Sequence, residues 1–195
     1  MGKGAIDGNG YSDSDLVKRC ASGDVRSQEC LYRRYFSFAM SICIRYTHDE
    51  TEAMEVVNDS YMKALNRLPE FDSSRPFKSW YGRILVNTAI DNYRKNQKSN
   101  EYVSIETVPE SGENDPEIET ELSVNDILTL YRQLPEHYRI TFDLFEIEGY
   151  SHEEIGGMLG VTASTSRSNL ARAKKMLREL YVRHMNPVKK GHETV

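Results

Sequence analysis

The sequence predicts an all-α protein made of two small helical domains joined by a flexible acidic linker. Apolar residues recur with a period near 3.6 along both ends of the chain, and no segment shows convincing strand alternation. Between them lies a stretch with few large apolar side chains, which cannot bury enough surface to offset its ordering entropy. The predicted divisions are a disordered N-terminus (1–11), a first domain (12–97), the linker (98–122), a second domain (123–185) and a tail (186–195).

The first domain is predicted to contain four helices. Two lie within residues 12–46, separated by Ser22-Gly23-Asp24, and Asp24 is suited to cap the second of them. A third helix, 49–68, places an acidic face opposite an apolar stripe and ends before Pro69. A fourth covers 77–95; its predicted inward residues are Trp80, Ile84, Ala89 and Tyr93, and its outward ones Arg83, Asn87, Asp91 and Arg94.

The second domain is predicted to contain four more helices, at 124–134, 135–148, 151–159 and 163–183. Pro135 suits a first helical turn, and Ser151 with Glu154 forms a capping box. A short capped helix, a turn beginning at Gly160 and a longer helix make the helix-turn-helix pattern. In that motif the second helix enters the major groove of DNA.

The charge pattern supports DNA binding by the second domain. Residues 101–126 hold nine acidic residues and no Lys or Arg, so the rest of the chain carries +4 although the whole carries -5. Residues 163–190 hold eight Lys or Arg against one Glu. An ordinary solvated basic helix is the alternative, but the capped partner helix and the glycine turn favour a DNA-reading helix.

Two surfaces of the first domain allow alternative interpretations. Aromatic residues alternate with cations over residues 76–98. Either the aromatic side chains stack on unpaired bases while the cations follow phosphates, or the aromatic side chains belong to the core and the cations form a solvated face. The acidic face of residues 49–63 either docks on a basic partner or only keeps the chain soluble.

Other functional classes lack support in the sequence. No apolar run approaches the ~20 residues of a membrane span, and residues 1–14 have no signal-peptide core, so we expect a cytoplasmic protein. Cys20, Cys30 and Cys43 are widely spaced, which predicts reduced thiols rather than a metal site. We find no Gly-rich phosphate loop or nucleophile elbow, so we expect neither an enzyme nor a cofactor.

Three stretches, in order along the chain, resemble the extracytoplasmic-function sigma factors of the sigma-70 superfamily. TEAMEVVNDSYMKAL (51–65) resembles their core-polymerase-binding helix, and FKSWYGRILVNTAIDNYR (77–94) resembles the helix that reads the -10 element. LPEHYR (134–139), EGYSHEEI (148–155) and Leu159-Gly160 resemble the -35-binding domain. The resemblance implies sigma domain 2 over residues 12–97 and sigma domain 4 over residues 123–185.

The resemblance implies a promoter-specificity subunit of bacterial RNA polymerase, which melts the -10 element and binds the -35 element. Together with the charge patterns it gives three sets of candidate site residues. For core polymerase, through the clamp helices of its largest subunit, they are Glu52, Glu55, Asn58 and Asp59. For -10 DNA they are Lys78, Trp80, Arg83, Asn87, Asp91 and Arg94, with the loop 71–76 as a base pocket. For -35 DNA they are Ser164, Ser166, Arg167, Ser168, Ala171, Arg172 and Lys175.

The resemblance also implies a membrane-bound anti-sigma factor, and a linker that runs through the cationic channels of the polymerase. It places Gly156 where a small residue packs against the recognition helix, and leaves Gly157 as a surface glycine. The alternative function is a helix-turn-helix regulator that acts without docking on core polymerase. Regulators of the response-regulator type carry an α/β receiver domain, whereas residues 1–97 show helical periodicity.

Overall fold

The computed structural model describes residues 11–99 and 129–185, with the side chains of 98 and 99 excepted. The chain divides into two compact units, Met1–Glu101 and Tyr102–Val195, and each is described by itself. The all-α prediction is confirmed, since both described ranges contain helices and no strand. Most of the predicted N-terminal segment and linker, the whole tail, and residues 124–128 of the predicted fifth helix lie outside the described residues, whereas residues 129–131 of that helix are described as helical.

Residues 11–99 of the first unit contain four α-helices and a 3-10 turn: α1 (Asp13–Ala21), α2 (Val25–Cys43), α3 (Glu50–Arg67), the turn Leu68–Glu70, and α4 (Phe77–Ser99). The predicted cap at Asp24 is confirmed, because its carboxylate accepts from the backbone N–H of Arg26 at 3.1 Å and of Ser27 at 3.4 Å. Asp49 caps α3 in the same way. The fourth helix continues past its predicted end at residue 95 into the predicted linker.

The core of the first unit combines aliphatic residues with a chain of aromatic rings. Tyr35 of α2 meets Phe77 of α4 with ring centroids 5.0 Å apart, and Tyr61 of α3 meets Tyr81 of α4 at 6.3 Å. Tyr81 is 1% exposed, so the start of α4 is embedded between α2 and α3. Edge-to-face ring pairs add to the burial of apolar area, and together they fix the three helices against one another.

The predicted faces of α4 agree with the structure at seven of eight positions. Ile84, Ala89 and Tyr93 are buried, and the four predicted outward residues are exposed. Trp80 is the exception, because it is only half-buried. Its ring lies at the edge of the core, with centroids 4.9 Å from Phe71 and 5.6 Å from Phe77.

The second unit contains α5 (Glu136–Phe142), a π-helical turn (Asp143–Ile147), α6 (His152–Leu159) and α7 (Ala163–Met185). The sequence predicted one regular helix to residue 148, but the helical pitch widens where Asp143 is fully buried. Pro135 stands just before the first residue of α5, as its N-cap. Leu134, Tyr138 and Ala173 form the buried core between α5 and α7.

The link between α6 and α7 is a tight glycine turn. The predicted capping box is confirmed, because Ser151 Oγ accepts from Glu154 N–H at 3.3 Å and Glu154 Oε2 accepts from Ser151 N–H at 2.8 Å. Gly160 ends α6 at φ +71°, a left-handed conformation that favours glycine. The N–H of Val161 then donates to the carbonyl of Gly156 at 3.0 Å.

Candidate nucleic-acid and partner interfaces

The predicted -35 residues lie at the N-terminal half of α7. Those at positions 164, 167, 168, 171 and 172 are exposed, and Lys175 is half-buried. Spacings of three and four residues place 164, 167, 168, 171 and 175 on one face of the helix. The turn and a cap from Thr162, whose Oγ1 accepts from Thr165 N–H at 3.0 Å, fix where this face begins. Short hydroxyl side chains and Arg on such a face can bond to base edges and phosphates.

Ser166 departs from the prediction. Its side chain is 0% exposed, and its Oγ lies 3.0 Å from Nδ1 of His152 on α6. The His152 ring in turn stacks on Phe145 of the π-helical turn, with centroids 4.4 Å apart. Ser166 therefore joins the two helices of the motif. Ser166 was predicted as a DNA contact; in the structure it lies on the side of α7 turned towards α6.

Ion pairs and a hydrogen bond orient the cations of α7. Arg167 pairs with Glu153 of α6 at 3.6 Å, and Lys174 with Glu146 at 2.7 Å. An Nη of Arg172 donates to the hydroxyl of Tyr138 at 3.5 Å. These groups are exposed enough that each ion pair stabilises the fold by no more than ~1 kcal/mol. Their main effect is to hold two of the predicted DNA-contacting residues near the face that they would use.

The predicted -10 residues of α4 form one exposed row. Arg83, Asn87, Asp91 and Arg94 follow one another at spacings of three or four residues, and all are exposed. Asp91 pairs with Lys63 of α3 at 3.6 Å. At the start of α4, the ammonium of Lys78 lies 4.6 Å above the ring of Phe38.

The loop 71–76 immediately precedes α4 and is ordered by its own side chains. Asp72 accepts from Ser74 N–H at 3.0 Å and pairs with Arg75 at 3.4 Å. Hydrogen bonds from Ser74, and then the charge of Arg75, lower the pKa of Asp72 below its usual value. Phe71 anchors the loop by packing on Trp80, so the half-exposed indole forms one wall beside the loop.

The predicted polymerase-binding face of α3 is exposed at Glu55, Asn58 and Asp59. Asn58 accepts a hydrogen bond from the hydroxyl of Tyr32 on α2 at 2.8 Å. Sequence reasoning missed the apolar part of this face, Met54 and Met62, which are 36% and 57% exposed. Their spacing of four residues to either side of Asn58 was the available signal.

Glu52 does not share that exposed face. It is half-buried, and its Oε1 accepts from Nδ2 of Asn92 and of Asn96, each at 2.6 Å. Its Oε2 accepts from the backbone N–H of His48 at 2.8 Å. Glu52 was predicted as a polymerase contact; in the structure its carboxylate is turned towards α4, with two donors on that helix and a third in the backbone of His48.

Neither described range contains a group of His, Cys, Asp or Glu residues that could hold a metal ion. Cys20, Cys30 and Cys43 form no disulfide, and burial raises the pKa of Cys20 to about 11 and that of Cys43 to about 12. Among the described helices, none is both long enough and apolar enough to cross a membrane.

Comparison with protein families gives two matches. The model for sigma-70 region 2 matches residues 31–99, which include α3 and α4. The model for sigma-70 region 4 matches residues 125–177, which include the helix-turn-helix. The exposed faces of α3, α4 and α7 described above therefore lie in regions that have counterparts in other proteins.

Curated relatives resemble the chain over most of its length. It is 29% identical over 180 residues to the RNA polymerase sigma-H factor of Pseudomonas aeruginosa, covering 85% of this chain and 91% of the relative. It is 31% identical over 178 residues to the ECF RNA polymerase sigma-E factor of Salmonella typhimurium, covering 85% and 92%. The sigma-E factor of Escherichia coli is 30% identical with the same coverages.

Solved structures of similar chains include CnrH in complex with the cytosolic domain of CnrY, with a TM-score of 0.48, 24% identity and coverage of 87% and 97%. Another is the sigma factor RpoE with the anti-sigma factor NepR from Bartonella quintana, with a TM-score of 0.48, 23% identity and coverage of 81% and 98%.

Proposed function

Because the chain belongs to the extracytoplasmic-function sigma factors of the sigma-70 family, we propose that it directs transcription initiation as a promoter-specificity subunit of bacterial RNA polymerase. The observation that carries the proposal is the order of the two sigma regions along one chain, each with an exposed helix suited to a different form of DNA. The first unit serves core polymerase and the -10 element, and the second serves the -35 element.

In the second unit, α7 binds the -35 element as duplex in the major groove. Arg167 and Arg172 are the residues best suited to bidentate contacts with guanine, while Ser164 and Ser168 reach phosphates or base edges. Ala171 offers a methyl-sized surface to a thymine methyl group, and Lys175 follows the backbone. Ser166 is left out of this set because it is buried.

In the first unit, the exposed row of α4 and the loop 71–76 bind the -10 element after its strands separate. Asn87 and Asp91 offer hydrogen bonds to unpaired base edges, while Arg83 and Arg94 follow the phosphates. The half-exposed Trp80 offers a stacking surface at the edge of the loop. Extruding a base costs a few kcal/mol of unstacking, which a fitted pocket offsets.

The exposed face of α3 docks on the clamp helices of the polymerase largest subunit through Glu55, Asn58 and Asp59. Acidic side chains on this face would speed the encounter with a basic partner and fix its register. An anti-sigma factor, membrane-bound as in the family, would bury the same surfaces. The acidic linker would occupy the cationic channels of the polymerase, and we expect a cytoplasmic, non-catalytic protein without a cofactor.

The test is run-off transcription with purified core polymerase on a library of genomic fragments. We expect transcripts from a discrete set of fragments in the presence of the chain and not with core alone. Absence of promoter-selective transcripts would contradict the proposal. Binding to duplex DNA in that case would favour a helix-turn-helix regulator that acts without core polymerase.

A further inference from the structure

Glu52 links the two functional helices of the first unit. It occupies the first turn of α3, where Asp49 accepts from its backbone N–H at 2.8 Å. Its side chain crosses to α4 and accepts from Asn92 and Asn96 through one oxygen, while the other oxygen accepts from His48 N–H. A charged acceptor with three donors makes stronger hydrogen bonds than a neutral one, so this link is stiff.

The link lies where α4 leaves the core. Tyr93 is the last buried residue of α4 among those whose side chains the structure describes. Asn92 and Asn96 are one turn apart and face Glu52, so their bonds fix both the tilt and the rotation of this part of α4. Asp91 and Arg94, two of the proposed -10 contacts, belong to the same turns. Their direction therefore depends on the Glu52 bonds.

We propose that Glu52 is a positioning residue for -10 recognition, which fixes the C-terminal half of α4 on the helix that docks on polymerase. This inference rests on the proposed function. Glu52 itself touches neither DNA nor polymerase, and its carboxylate sets the orientation of α4 relative to α3. Docking of α3 then delivers the row from Arg83 to Arg94 to the separated strand in a fixed orientation.

The proposal predicts that an amide at position 52 with a carboxylate at position 92 can replace the natural carboxylate at 52 with its amide at 92. Asn92→Asp places a second carboxylate against Glu52 and removes a donor, so the link breaks by charge repulsion. Adding Glu52→Gln to that variant restores an amide opposite a carboxylate, now with the donor on α3. The double variant also keeps the net charge of the natural pair. Glu50→Gln removes one exposed charge from the same turn of α3 and serves as the matched control.

The experiment measures three dissociation constants for each variant: chain for core polymerase, holoenzyme for the single-stranded -10 region, and holoenzyme for the duplex -35 region. The DNA is a promoter selected by the natural chain in run-off transcription. For Asn92→Asp we expect single-strand binding to weaken about tenfold, the equivalent of ~1.4 kcal/mol. Core and -35 affinities should stay within about twofold, and the double variant should recover single-strand binding to within about threefold of the natural chain.

Several results would overturn the proposal. One is weaker binding to core polymerase in Glu52→Gln that the double variant does not restore. This result would make Glu52 a polymerase contact. Another is unchanged single-strand binding in every variant. If Asn92→Asp unfolds the unit, Glu52→Gln alone decides, because it removes the charge of the acceptor without placing a second carboxylate beside it. A loss confined to single-strand binding supports the proposal, and any other result overturns it. A natural chain that selects no promoter would instead contradict the proposed function.

Discussion

Gly156 and Gly157 are adjacent in α6, yet their surroundings differ in a way that predicts opposite responses to the same substitution. A Cβ on Gly156 would lie 2.8 Å from the carbonyl oxygen of Val161 and 3.4 Å from the backbone nitrogen of Ala163. These are backbone atoms of the turn into α7, and the Gly156 carbonyl itself accepts from Val161 N–H. A Cβ on Gly157 would meet nothing within 4 Å.

The magnitudes follow from two terms. Replacing glycine by alanine inside a helix stabilises it by up to ~1 kcal/mol, and this gain is similar at both positions. Overpacking against fixed neighbours costs about 1–3 kcal/mol and applies only to Gly156. Gly157→Ala should therefore be neutral or stabilising, and Gly156→Ala should be less stable than Gly157→Ala by about 1–3 kcal/mol. Gly156→Leu should disrupt the turn.

The assay is thermal unfolding of the full chain followed by two signals. Far-UV circular dichroism reports both helical units, whereas the single tryptophan, Trp80, reports only the first. Each kcal/mol corresponds to roughly 4–8 °C for a unit of this size. The two alanine variants should separate in the dichroism transition of the second unit and coincide in tryptophan fluorescence. Equal damage from both, or equal stability, would refute the contact argument.

Three further predictions concern DNA contacts, the helix-turn-helix and the first core. Arg172→Ala should weaken -35 duplex binding by ~1–3 kcal/mol in a fluorescence anisotropy titration, and unchanged affinity would assign Arg172 to the solvated face. Ser166→Ala should lower the unfolding free energy of the second unit by ~1 kcal/mol, measured by dichroism, because the hydrogen bond to His152 is lost. The salt dependence of DNA binding by this variant should equal that of the natural chain, and a shallower dependence on salt would contradict a buried role for Ser166. The unfolding free energy of the first unit, measured by Trp80 fluorescence in denaturant, should fall as pH rises from about 9 towards 12. The reason is that the raised pKa values of Cys20 and Cys43 keep these thiols protonated in the folded state at a pH where the thiols of the unfolded chain have already ionised. An unfolding free energy that stays constant from pH 8 to 11 would contradict this linkage.

The helices of the fold were predictable because their signals are local. The Asp24 cap, the Ser151–Glu154 box and the Gly160 turn depend on residues within a few positions of one another, and each is present in the structure. The exposed row of α4 also follows from helical spacing alone. The widened turn at Asp143 was not predictable, because it depends on how a polar residue is accommodated inside the second unit.

The candidate site residues also divide into those that local sequence patterns identify and those that tertiary packing decides. Sequence alone indicated which helices carry acidic, basic and aromatic faces, and the resemblance supplied their order and expected roles. The sequence could not show that Ser166 faces His152 or that Glu52 faces α4, since these partners lie 14 and at least 40 residues away in the chain. A polar side chain on a helix has several faces to choose from, and periodicity describes only the apolar one. Which polar residues remain available for DNA or polymerase is decided by the packing of one helix against another, because a hydrogen bond made inside the fold removes that group from the surface.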